Sequence, residues 1–191
     1  MATDVKARFA TGGTATSATT LAAEQDASDG AALTLTGAAA TFAQGDDGSC
    51  TVQRITLTSG SGDDNSAVTY TVIGTDHNGS SITEDITGGA GGATVTSTLF
   101  YNTVTSITGN GGATTDITAG VTSVGMHAVF FAGRTRVKGM HGVIGSADNF
   151  LFKTTSSTGA TVMTIPADAG DLDPYIPDDG VLFTSGCFLP M

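Results

Sequence analysis

Tryptophan is missing from this chain, and aromatic residues make up only 6% of it. Apolar burial therefore rests on Val, Ile, Leu, Ala and nine Phe, which makes for a thin core of the kind a second subunit or partner surface completes. Bases are scarce too: seven Lys and Arg stand against 18 Asp and Glu, a formal net charge of −11. Between Phe9 and Gly133 the single base is Arg54, beside eleven acids from Glu24 to Asp116. Duplex DNA is held by many Lys and Arg contacts to phosphate, so no nucleic-acid partner is expected.

Long apolar runs are lacking. No stretch approaches the ~18 residues expected of a membrane helix, so no membrane partner is expected either. The opening MATDVKARFATGGTATSATT has no apolar core behind its two bases. No targeting segment is read there, and the chain is expected to be made in the cytoplasm and to be soluble. Heptads are absent, and short TxTxTG echoes recur at irregular spacing, which argues against a coiled coil or a fixed-rung solenoid.

The residues of chemistry are sparse as well. Cys50 and Cys187 lie far apart and lack the spacing of a zinc site or the density of a disulfide scaffold, so two unpaired, half-buried thiols are expected, with a long-range bridge as the alternative. His77, His127 and His141 fall in different segments, none at ligand spacing from another. No GxSxG elbow supports a serine nucleophile. The neighbours Asp63/Asp64, Glu84/Asp85 and Asp178/Asp179 would point to opposite faces of a strand rather than converge as an acid and base. Asp76-x-Asn78-Gly79 and the acids of residues 168–179 offer hard oxygens for calcium, but neither completes an EF-hand loop and turn chemistry accounts for both. The glycine runs at 88–92 and 109–112 lack the Lys-Ser/Thr of a phosphate loop and read as turns. The expectation is a non-enzymatic chain with no catalytic residue, cofactor or metal ligand.

What is abundant is threonine and glycine, 34 and 27 residues. Thr suits a pleated surface and Gly supplies the tight turns between strands. A mean hydropathy of +0.14 excludes a wholly disordered chain. Residues 1–30 are small, polar and weakly patterned, and read as a flexible arm. From Thr51, Ile55 and Leu57 alternate with Thr, then Val68, Tyr70 and Val72 do the same. Asn78-Gly79 is a strong hairpin signal, with a return strand at 82–86. Residues 94–107 read as one strand, apolar on both faces, with a bulge near 99–101. Ile117 and residues 121–131 complete about seven short strands, the signature of a sandwich.

Beyond residue 133 the texture changes. Residues 134–144 read as a strand, 150–155 and 161–166 as a hairpin, and 181–189 as a closing strand. Pro166, Pro174 and Pro177 with neighbouring acids make a stiff loop. The expected architecture is all-β: an arm over 1–30, an antiparallel β-sandwich over 31–123, and a smaller C-terminal β subdomain over 124–191.

Two groups are candidate protein contacts. Leu99, Phe100 and Tyr101 are three consecutive large side chains that cannot all face one core. Arg134, Arg136 and Lys138 share one strand face, because side chains repeat with period two. That face reads either as a solvated row or as a docking stripe for an acidic partner, another copy included.

The run ITLTSGSGDDNSAVTYTVIGTDHNGSSITEDITGGAGGATVTSTLFYNTVTSITGNGG, the preceding LAAEQDASDGAALTLTG and the closing IPDDGVLFTSGCFLPM resemble recurrent segments of virion structural proteins of tailed bacteriophages. The resemblance implies a repeated, non-enzymatic component located in the virion: a capsid decoration or cement protein touching the major capsid protein and acting as a homo-oligomer, a trimer by expectation. A neck, collar or tail-fibre adaptor is the alternative within particles. A carbohydrate-binding module is the alternative from another class, though such sites favour aromatic platforms and the chain offers only Tyr70, Tyr101 and Tyr175.

Overall fold

A computed structural model of the chain describes residues 15–26, 30–36, 40–42, 50–111, 116–145, 147–177 and 179–190. The fold is all-β, with several antiparallel sheets. Its described residues divide into two compact units, 15–126 and 127–190.

The first unit is sandwich-like. One sheet holds β1 (Ser17–Asp26), the first part of β7 (Asp116–Phe131), β2 (Cys50–Ser59) and β5 (Thr94–Thr96). The other has the order β4 (Ser81–Thr87), β3 (Thr69–Thr75), β6 (Thr103–Gly109). Between them lies one apolar cluster. It takes Leu21 and Ala22 from β1, Ile55 and Leu57 from β2, Tyr70 and Val72 from β3, Val104 and Ile107 from β6, and Ile117, Ala119 and Val121 from β7. Strand geometry explains the alternation: with the apolar set turned in, Thr69, Thr71 and Thr75 fall on the other side of β3. Each Leu or Val so buried contributes roughly 1.5–3 kcal/mol relative to leaving it in water.

The β3–β4 hairpin closes where Asn78-Gly79 placed it. Asp76 Oδ1 accepts hydrogen bonds from the amides of Asn78 and Ser80, at 2.8 and 2.9 Å. Gly79 supplies a φ of +77° that a side chain would resist. Asp76 and Asn78 are thus engaged in the turn.

Two expectations change in this unit. Part of the segment read as an arm is β1, which pairs with β7 and buries Leu21 and Ala22 completely. Its apolar residues are few, yet they fall opposite a strand able to receive them. Residues 1–14 and 27–29 of that expected arm lie outside the described residues. Residues 94–107 form two strands rather than one: β5 pairs with β2, whereas β6 pairs with β3, so the chain crosses between sheets.

The second unit is built on the end of β7. There β14 (Cys187–Pro190) pairs with residues 127–131, β10 (Asp148–Lys153) pairs with β14, and β11 (Thr161–Ala167) forms a hairpin with β10. Two short ladders accompany this sheet: β8 (Thr135–Val137) with β13 (Val181–Phe183), and β9 (Gly142–Ile144) with β12 (Gly170–Leu172). The strands expected at 134–144 and 181–189 are therefore each divided, because their halves pair with different partners. Gly186, at φ +94°, turns the chain between β13 and β14. The core gathers Ala128, Phe152, Ile165, Phe183, Cys187 and Leu189. Phe152 stacks on Phe130 at 6.0 Å and meets Phe183 edge-on at 6.5 Å, arrangements that aromatic quadrupoles favour.

Candidate functional site

The crossover between β5 and β6 carries the first candidate group. Ser97 and Tyr101 still pair with β2: Ser97 N donates to Ile55 O at 2.8 Å, and Tyr101 and Gln53 exchange backbone hydrogen bonds. One residue later Asn102 N donates to Thr75 O on β3. Glu84 of β4 holds the turn between these anchors. Its Oε1 accepts from Thr98 N and Thr98 Oγ1, both at 2.7 Å, and its Oε2 accepts from Leu99 N at 3.0 Å. Tyr101 OH donates to the same Oε2 at 3.5 Å.

This wiring separates the three large residues. Tyr101 is completely buried in the core of its own unit, so its place among the expected contact residues is corrected: the crossover turns its ring inward. Phe100 is half-buried beneath Arg54, whose guanidinium carbon lies 4.9 Å from the ring centroid. Leu99 is left 38% exposed. Sequence reasoning missed Glu84 as the organiser, since it read Glu84 only as the neighbour of Asp85. Asp85 faces the other way and accepts from Thr71 Oγ1 at 2.7 Å.

Arg134, Arg136 and Lys138 all stand exposed on and beside β8, while Thr135 and Val137 between them are half-buried. Val137 packs on the second core, which turns the three cations outward together. Arg136 Nη1 donates to Gly180 O at 3.3 Å. Among the described residues none of the three cations forms an ion pair with a carboxylate.

A third grouping was not legible beforehand. Asp26 and Asp116 are register partners on β1 and β7. Gly60 N donates to Asp116 O at 2.8 Å, and Asp63 N donates to Gly60 O at 3.1 Å. The Asp63 carboxylate and the Asp116 Cβ flank the same side of Gly60. Exposed Asp64 follows: a hydrogen bond from the Ser66 side chain, and then that from Ser66 N to its Oδ1 at 2.9 Å, hold its carboxyl below the ordinary range. Acidic residues from three distant stretches, Asp26, Asp63 with Asp64, and Asp116, thus lie at one end of the first unit, and no sequence spacing signals it.

The remaining chemistry-bearing side chains stand apart. Cys50 and Cys187 are free and buried. Burial, then the charge of Asp76, pushes the Cys50 thiol up to about 11, and burial alone takes Cys187 to about 12, so both are protonated and weakly nucleophilic. His127 is buried against Phe188 with ring centroids 6.2 Å apart. An open hollow of about 510 Å³ on the second unit is lined by Asp148, Asn149, Pro166 and Asp168. Among the described residues, no three His, Cys, Asp or Glu side chains are grouped to hold a metal ion. Asp178 lies outside the described residues.

Comparison with known proteins finds no matching family model, no matching curated protein and no matching solved structure.

Proposed function

We propose that this chain is a non-enzymatic virion structural protein, a capsid decoration or cement protein that stabilises a phage head through protein contacts. The reading starts from the likeness of residues 55–112, with their flanking segments, to phage virion proteins. The observation that carries it in the fold is the fixed display of Leu99. Glu84 ties down the crossover backbone on either side of the choice between core and surface, so Tyr101 enters the core and Leu99 faces outward. A large apolar side chain held in one place binds a partner without the entropic cost of ordering a loop. Repetition over a shell multiplies such weak contacts by avidity.

Copy number tests the proposal. In purified virions, quantitative mass spectrometry against the major shell protein should find this chain on the order of hundreds of copies, as a shell-wide symmetric component requires. About a dozen copies or fewer would move it to the neck or tail, and its absence would overturn the virion reading.

A further inference from the structure

The cation row of β8 and the acidic end of the first unit are complementary surfaces within one sequence. The row sets three positive side chains in a line, two residues apart, on a backbone braced by the β8–β13 ladder. It faces solvent without a carboxylate partner among the described residues. The acidic end brings the Asp63 carboxylate and the Asp116 Cβ to the same side of Gly60, with exposed Asp64 next along the chain, on a backbone braced by the β1–β7 pairing and by the Gly60–Asp116 hydrogen bond. Arg54, the one base of residues 15–126, is engaged with Phe100.

We propose that the Arg134, Arg136 and Lys138 row of one copy docks on the Asp63, Asp64 and Asp116 end of a second copy. This rests on the reading of the chain as a repeated assembly component and names its partner at that surface. The contact is heterologous, since different patches meet, so it propagates from copy to copy and closes only if the rotation allows. A net charge of −11 opposes association at long range, and the docked charges overcome it at short range. Specificity follows from the same arrangement, because any misaligned approach sets acid against acid.

The test uses the purified full chain in sedimentation velocity. Wild type should self-associate in 50 mM NaCl and do so about tenfold more weakly in 1 M NaCl, where the Debye length falls to about 3 Å. Two variants, R134E/R136E/K138E and D63K/D64K/D116K, should each remain monomeric. An equimolar mixture of the two should associate again, since the reversed row fits the reversed end. Both variants stay net negative, so bulk attraction does not explain that recovery. Circular dichroism checks that each variant is folded, and the salt series on wild type stands without any variant. Monomeric wild type at every salt concentration would overturn the proposal. So would self-association indifferent to salt, or row reversal that abolished binding to a shell protein while leaving self-association intact. The virion copy number is measured separately, so the failure of either reading leaves the other to stand or fall on its own.

Discussion

Tyr70 and Tyr101 show how a single side chain reports on the core. Both rings are completely buried, and each hydroxyl has a polar partner: Tyr70 OH donates to Asn65 Oδ1 at 2.7 Å, and Tyr101 OH to Glu84. Burial first, then the charge of Asp26, pushes the Tyr70 phenol up to about 12. For Tyr101, burial and then the charge and hydrogen bond of Glu84 push it higher still. The folded state therefore prefers the neutral phenol. Stability from this source is complete below the unfolded value near 10 and declines as pH rises through 10 to 12. In an alkaline titration followed by phenolate absorbance, two of the three tyrosines should ionise together with loss of the near-ultraviolet circular dichroism signal. Smooth ionisation of all three without unfolding would contradict the buried environment. Gly74 illustrates a tighter constraint. A Cβ there would strike the Thr103 carbonyl oxygen and the Tyr101 ring, so β3 and β6 approach only because this residue has none. The register shift in the β3–β6 ladder falls between Ile73 and Gly74.

Among the elements, the crossover from β5 to β6 depends most on a residue distant in sequence. Periodicity over 94–107 is continuous enough to read as one strand, and apolarity on both faces hinted that the segment sees two environments. Yet where the chain leaves one sheet for the other is set by Glu84, which satisfies amides that neither sheet reaches. Glu84→Ala removes the acceptor for Thr98 N, Thr98 Oγ1 and Leu99 N, and is expected to cost about 1–3 kcal/mol. Hydrogen exchange should accelerate at Thr98 and Leu99, and Glu84→Gln, which keeps an acceptor oxygen, should restore part of the protection. Urea unfolding together with site-resolved exchange measures both. An unchanged exchange rate at those two amides would show that the carboxylate is not what holds the turn.

In the molecule as a whole, the two units differ in what they bury. Among the described residues, the cluster of the first unit gathers seventeen buried side chains and that of the second gathers six. Because burial of apolar area is the dominant favourable term, the second unit is expected to open at lower free energy. Native-state hydrogen exchange should show weaker protection in β10 and β11 than in β2 and β3. Phe183→Ala, which empties the centre of the smaller core, should lower the second unit's stability by about 3–5 kcal/mol and leave exchange in β3 unchanged. Equal protection in the two units would mean that they open as one.

The sequence by itself determined the all-β character and the β3–β4 hairpin. Thr alternating with apolar residues encodes strand geometry directly, and Asn78-Gly79 encodes its own turn, so both are local properties. It also determined the outward row at Arg134, Arg136 and Lys138, because period two holds along any short strand. Only the tertiary structure decided that Ser17–Asp26 is a core strand, that Tyr101 is buried while Leu99 is left 38% exposed, and that Asp63 and Asp116 flank one side of Gly60. Those outcomes depend on which distant strand lies alongside, and pairing between strands far apart in sequence leaves no periodic mark on either one.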